Sequence, residues 1–206
     1  MYGWTGKILR VDLTTGRVTE ESLNRKVAKD YLGGRGLGIF YLSKELDPAC
    51  DPLSPENMMV IATGPLTGTR APTAARAMVT TKSPQTGALT CSNTGGYFPA
   101  ELKKAGVDGI ILQGRSPEPV YLWIENGTPE LRPAGHIWGK TTHETDAALR
   151  AETHEKARIA SIGPAGERQV LFAAIMNEKD RAAGRAGVGA VMGSKNLKAI
   201  VVRGDS

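Results

Sequence analysis

Cysteine is nearly absent. Cys50 and Cys91 are the two in 206 residues, and their separation matches neither a redox Cys-x-x-Cys pair nor a zinc spacing. That excludes an iron–sulfur cluster or structural zinc held by this chain's own cysteines. Free, buried thiols in a reducing cytoplasm are the expected state. Histidine is scarce too, and His136, His143 and His154 fall in polar segments that read as surface. No Ser-His-Asp or Cys-His arrangement can be argued from the spacing. Aromatics make up 5% of the residues, too few for a base-stacking platform, and the basic residues are spread along the chain. Nucleic acid is therefore not expected, although the formal net charge of +5 favours an anionic partner. No apolar run is long enough to span a bilayer and no signal peptide opens at Met1-Tyr2-Gly3-Trp4, so no membrane partner is expected either.

The chain is rich in glycine, with 25 of 206 residues. It concentrates with arginine in Asn177-Glu-Lys-Asp-Arg181-Ala182-Ala183-Gly184-Arg185-Ala-Gly187-Val-Gly189-Ala-Val-Met-Gly193. Glycine lets backbone N–H groups approach a ligand closely, and arginine offers a planar fork that matches phosphate oxygens. This pattern suits a large anion. A surface loop with solvated arginines is an equally good reading of the composition alone. Two familiar phosphate motifs fail here. The stretch from Gly189 to Asn196 has the wrong spacing for a P-loop and no hydroxyl after its lysine, and Met192 and Ile39 stand where a dinucleotide fingerprint needs its third glycine.

Pattern reading gives a hairpin over residues 7–13 and 17–20, and a short helix capped by Asn24 and stopped by Gly33-Gly34. A second helix comes next, over 37–46. Strands are expected at 58–62, 77–81, 88–91 and 109–112, with an irregular loop over 64–75 and a helix over 95–105. Beyond these come a hairpin of 120–124 with 130–132 across Asn126-Gly127, a helix over 141–152, and strands at 158–161, 170–175 and 199–202, the last preceded by the glycine loop and a short helix. Strands outnumber helices and regular βα alternation is missing, which gives an α+β domain occupying 1–206.

Two segments, about 58–114 and 157–204, resemble each other. Val60-Ile-Ala-Thr-Gly-Pro65 matches Ile159-Ala-Ser-Ile-Gly-Pro164, and Gly109-Ile-Ile-Leu-Gln-Gly114 matches Ala199-Ile-Val-Val-Arg-Gly204. Such a duplication implies two β-sheet units with short helices, related by a pseudo-twofold axis. It would offer two similar anion sites, Arg76 with Asn93-Thr94-Gly95-Gly96 and Arg181-Ala182-Ala183-Gly184-Arg185, to a ligand with two symmetric anionic halves.

Several ordered motifs carry a family resemblance: Tyr2-Gly3-Trp4, Gly64-Pro-Leu-Thr-Gly68, Ala71-Pro-Thr73, Asn93-Thr-Gly-Gly-Tyr-Phe98, Ile137-Trp-Gly-Lys140, Ala160-Ser-Ile-Gly-Pro-Ala-Gly-Glu167, Arg181-Ala-Ala-Gly-Arg185 and Gly189 to Ile200. From Tyr2 to Gly204 the chain resembles the N-terminal domain of the tungsten-containing aldehyde:ferredoxin oxidoreductases. The resemblance implies a base domain of two pseudo-symmetric sheets carrying a tungsten bis-pyranopterin, with molybdenum as the alternative metal and a magnesium ion bridging the two pterin phosphates. Carried over residue by residue, it places Arg76 on one pterin, Asn93, Gly95 and Gly96 at the phosphates, and Arg181, Ala182, Ala183, Gly184 and Arg185 on the other side. The backbone carbonyls of Asn93 and Ala182 become the magnesium ligands, a choice that suits a hard cation. Family members oxidise aldehydes to carboxylic acids and pass electrons through a [4Fe–4S] cluster to ferredoxin. They extend well beyond this length, and the part missing here supplies the cluster cysteines and the aldehyde pocket. The resemblance therefore implies the C-terminal domains as partners, an inactive isolated chain, and an apolar face through which the isolated chain self-associates. The alternative is a scaffold module of the same fold that assembles with a separate catalytic chain.

Overall fold

Residues 59–62 and 199–202 are buried without interruption, as strands covered on both faces must be. The computed structural model describes residues 2–205 and builds two six-stranded mixed sheets around these runs. The first contains β1 (Lys7–Asp12), β2 (Arg17–Ser22), β3 (Met59–Thr63), β4 (Ala77–Lys82), β5 (Leu89–Thr94) and β6 (Gly109–Gln113), in the order β2-β1-β6-β3-β4-β5. The second contains β7 (Val120–Glu125), β8 (Thr128–Pro133), β9 (Arg158–Ser161), β10 (Ile175–Asn177), β11 (Arg181–Ala183) and β12 (Leu197–Arg203), in the order β11-β10-β9-β12-β7-β8. Helices α1 (Arg25–Tyr31), α2 (Gly34–Glu45) and α3 (Phe98–Lys104) belong to the first half of the chain. Helices α4 (Thr142–Glu152), α5 (Pro164–Glu167) and α6 (Val188–Ser194) belong to the second.

The two sheets share one wiring. Each starts with an antiparallel hairpin whose first strand lies parallel to the last strand of its half, β1 beside β6 and β7 beside β12. In each, that last strand runs antiparallel to β3 or β9, from which two further antiparallel strands lead to the edge. The registers agree as well: Ile61 faces Ile110 as Ala160 faces Ile200. The hairpins β1–β2 and β7–β8 hold equivalent places, so the common wiring begins upstream of the segments matched in sequence.

Period-two alternation sorts the side chains into three apolar layers. Leu9, Val11, Ile61, Ile110 and Leu112 of the first sheet meet Leu122, Ile124, Ala160, Ile200 and Val202 of the second, joined by Phe98 and Leu102 of α3 and Val188, Val191 and Met192 of α6. The alternate residues Ile8, Val60, Ala62 and Ile111 pack outward on α1 and α2, and Tyr121, Trp123, Ile159 and Val201 pack outward against Leu149 of α4. Local signals act as read. Asn24 Oδ1 accepts from the N–H groups of Lys26 and Val27, and Thr141 with Glu144 forms a capping box on α4.

Three local expectations are corrected. Helix α2 begins at Gly34 rather than at residue 37, because its glycines serve contact with the sheet: a Cβ on Gly33 would stand 2.5 Å from Thr63 O, and one on Gly38 would collide with Thr80 Oγ1. The 95–105 helix starts only at Phe98, leaving Gly95 and Gly96 as a free bend. Finally, 170–175 is not a strand. The backbone at Gly166 and Ala174 presses against α6, where a Cβ on Gly189 or Gly193 would strike it, and β10 is confined to Ile175–Asn177. Glycine in α6 is thus spent on helix packing, and the helix is buried throughout.

Lys195, at the C-terminal end of α6, is fully buried and reaches into the other half, donating to the carbonyls of Asn57 and of Gly114 (3.0 Å). Burial, aided by Arg115, pushes its ammonium down to about 8, well below the ~10.4 of an unfolded lysine. Below pH 8 both states hold the proton and the fold bears the full desolvation cost. As pH rises from about 8 to about 10.4 the folded protein sheds the proton first and that cost is relieved. Stability of the wild type relative to Lys195→Met should therefore rise across this window, by up to about 3 kcal/mol. Urea denaturation at stepped pH checks this, and a flat difference would overturn it.

Candidate functional site

The two sheets meet at their last strands, β5 and β11, and the junction is polar. Buried Thr94 donates from Oγ1 to Asn177 Oδ1 at 2.9 Å, while Asn177 Nδ2 donates to the carbonyl of Gly95 at 2.9 Å. The N–H of Arg185 donates to Ser92 Oγ (3.1 Å), and Ser83 Oγ donates to the carbonyl of Ala186 (2.9 Å). A buried amide of the second sheet satisfied by two groups of the first is costly to break, so it fixes the relative placement of the strand ends and the bends beside them.

These strand ends and bends enclose a cleft of about 520 Å³ that draws on both halves. Arg76, Asn93, Gly95 and Gly96 line it from the first, and Arg181 and Ala182 from the second. Arg76 Nη1 donates to Asn93 Oδ1 at 2.9 Å, and its backbone is held by Thr67, whose Oγ1 donates to Arg76 O (3.0 Å) and accepts from Gly64 N (3.0 Å). The Arg181 side chain makes no hydrogen bond to any described residue. Gly96 has φ +89°, and a Cβ there would lie 2.5 Å from Glu178 Oε2; one on Gly95 would lie 3.1 Å from Arg76 Nη1. Here glycine is required by strand-end geometry and by the arginine beside it.

Of the remaining residues singled out in the sequence, Ala183 turns into the core, while Gly184 and Arg185 lie outside the lining of the cleft. Arg181 to Ala183 is strand, not loop. Sequence reasoning missed Thr69, Thr73 and Asp180, which also line the cleft, and Asn177, which builds it. It also missed Glu178, whose carboxylate accepts the N–H groups of Tyr97 and Phe98 and so occupies the start of α3. A signal for Asn177 was available: an amide in an otherwise apolar strand end, just before a turn.

Register exposes a correspondence and a mismatch. Asn93 opposes Met78 as Ala182 opposes Met176, so the two residues hold the same place in their sheets. The arginines do not correspond. Arg181 opposes Asn177 as Ser92 opposes Val79, and the residue placed like Arg76 is Ala174. The expectation of two similar arginine sites is corrected accordingly: each half contributes one arginine, from a different position. Among the described residues no three His, Cys, Asp or Glu side chains gather into a metal-binding group, so a cation in this cleft would rest on carbonyl oxygens and on the ligand's own.

A second cavity of about 310 Å³ adjoins the first through Ala74, Arg76 and Asn93 and is lined chiefly by apolar groups, among them Leu32, Pro65, Leu66 and Met78. Leu32 and Leu66 are exposed. No helix among the described residues is long and apolar enough to cross a membrane.

The two sheets thus meet at a cleft lined by Arg76, Arg181, Gly95 and Gly96. Residues 8–204 match the family model described as the aldehyde ferredoxin oxidoreductase N-terminal domain, and the chain belongs to that family. It is 60% identical over 205 residues to a tungsten-containing aldehyde ferredoxin oxidoreductase of Pyrococcus abyssi, and 58% identical to one of Thermococcus kodakarensis, in each case over 99% of this chain and 34% of the relative. The chain thus spans about a third of the length of these curated relatives. A Pyrococcus furiosus protein named as an aliphatic sulfonate oxidoreductase, WOR-like subunit, is 43% identical over 99% of this chain and 35% of its own length. Among solved structures, the active-site complex BamBC of benzoyl coenzyme A reductase with 1,5-dienoyl-CoA superposes with a TM-score of 0.97 at 43% identity, covering all of this chain and 31% of that one.

Replacing Asn177 with Ala removes one partner from both Thr94 and the Gly95 carbonyl at a buried junction. We expect a loss of about 1–3 kcal/mol in urea denaturation. A loss below about 0.5 kcal/mol, the range of ordinary surface changes, would count against the junction's role.

Proposed function

We propose that this chain is the cofactor base of a tungsten-containing aldehyde oxidoreductase, and that the cleft at the β5–β11 junction holds a bis-pyranopterin by its phosphates. The observation that carries the reading is the convergence of Arg76 and Arg181 with the register-equivalent Asn93 and Ala182 in one glycine-walled cleft. It is supported by relatives named as tungsten-containing aldehyde ferredoxin oxidoreductases. The residues present fit such a group. The cleft has one arginine from each half, Arg181 makes no hydrogen bond to any described residue, and Gly95 and Gly96 let the bend pack closely beside Arg76 and Glu178.

In this role Arg76 and Arg181 neutralise phosphate oxygens, with Asn93 Oδ1 orienting the Arg76 guanidinium. The Gly95–Gly96 bend lets backbone meet ligand directly. The backbone carbonyls of Asn93 and Ala182 would hold a magnesium ion beside the phosphates, as hard-cation chemistry favours. Arg185, whose backbone is fixed by Ser92, serves from outside the cleft wall. When bound, the cofactor supplies oxidation of an aldehyde to a carboxylic acid. The rest of the enzyme would supply the iron–sulfur cluster and the contact with ferredoxin. The protein's contribution from this chain is positioning and charge. The remaining domains cover the cleft and the apolar cavity around Leu32 and Leu66, and the isolated chain is inactive and cytoplasmic.

The test uses a full-length relative. Arg76→Ala and Arg181→Ala should each remove a charge-assisted contact worth about 1.5–3 kcal/mol, lowering cofactor affinity roughly tenfold or more. Tungsten and pterin content per protein, measured after dialysis, should fall in both variants. Undiminished occupancy would overturn the reading.

A further inference from the structure

Arg181 also lines a cavity of about 590 Å³ that the cofactor reading does not use, together with Tyr97, Arg150, Arg158, Lys179 and Asp180. Its charges sort cleanly. Arg150 is taken by Asp146, with Nε to Oδ2 at 2.9 Å, and by the carbonyl of Glu155. Glu178, also on the wall, is taken by the start of α3. Three cations, Arg158, Lys179 and Arg181, then face one acid, Asp180, and none of these four side chains makes a hydrogen bond to any described residue. With Glu178 counted, since backbone N–H groups leave its charge in place, the wall keeps one net positive charge, carried by cations that have no internal hydrogen-bond partner.

Arg158 stands out among them. Its guanidinium lies 4.6 Å over the ring of Tyr97, and its Nε is buried with no hydrogen-bond partner. An unpaired buried donor carries a free-energy cost that a ligand acceptor would relieve. The stack fixes the orientation of the fork in advance, so little freedom remains to be lost on binding.

We propose that this cavity is a second anion site, distinct from the cofactor cleft, that takes a phosphate group. Arg158 is the fixed fork, with Lys179 and Arg181 flanking it. A phosphate monoester presents three terminal oxygens, one for each of the three cations, and they suit bidentate contact with a guanidinium. A carboxylate presents two oxygens and leaves one of the three cations without a contact. The site shares Arg181 and Asp180 with the cofactor cleft, while Arg158 and Lys179 line this cavity and not that one, so they can be tested apart from the cofactor reading.

The experiment is a titration of the 206-residue chain with inorganic phosphate, monitored through the Arg158 Nε–H resonance and the Tyr97 amide, with acetate at matched ionic strength as the carboxylate control. We expect saturable shifts at both probes with phosphate and much smaller ones with acetate. Arg158→Gln should weaken phosphate binding about tenfold, the equivalent of one charge-assisted bond. Lys179→Ser, at an exposed turn position, should weaken it severalfold without touching the Tyr97 stack. Arg76→Ala should leave the Arg158 response unchanged. The proposal fails if phosphate leaves Arg158 unmoved at millimolar concentration, if acetate matches it, or if the response vanishes with Arg76→Ala.

Discussion

Everything at the ligand-facing surface depends on how two sheet edges are held together. Strands β5 and β11 each end a sheet, and an open edge is a row of unpaired donors and acceptors. Here Asn177, at the end of β10 next to β11, holds the two edges side by side: it accepts from Thr94 and donates to Gly95. One amide spans the two sheets where the chain leaves β5. The apolar layer between the sheets supplies most of the driving force, since it includes Leu9, Ile61, Leu122 and Ile200 together with α3 and α6. It is non-directional, however, and cannot by itself set the register of the two edges. The hydrogen bonds at the junction do that.

Charge is handled differently in the interior and at the cleft. Inside, cations are closed off: Lys103 pairs with Asp108, Lys198 with Glu167, and Lys195 with carbonyls alone. These groups tie one half to the other or a loop to its sheet. At the cleft and the neighbouring cavity, Arg181, Arg158 and Lys179 are left without such partners. The contrast separates cations that hold the fold from cations available to something else.

Much of this was legible in the chain. Strand runs at 59–62 and 199–202, the Asn24 cap, the capping box at Thr141, and the α+β class arise from local patterns that packing reinforces. Arg76, Asn93, Gly95 and Arg181 could be named because arginine beside glycine has a narrow range of uses. The glycines of 184–193 were harder. Gly189 and Gly193 look like a phosphate loop in sequence, yet they exist so that α6 can lie against the backbone at Ala174 and Gly166. Glycine signals close approach without saying whether the approaching atom is ligand or protein. Glu178 and Thr67 act through tertiary contacts over distant or irregular chain, which no local pattern encodes.

The mismatch in register between Arg76 and Arg181 has a consequence for whatever lies across the junction. The scaffold repeats, with Asn93 and Ala182 in the same place of each sheet, but the arginines have drifted to unlike positions. A molecule built of two identical halves would therefore find two different walls. One half would meet a guanidinium tethered to an asparagine, and the other a guanidinium with no tether. A fold that is nearly symmetric in its backbone is handed in its chemistry, so it can tell left from right in a ligand that has no such distinction of its own.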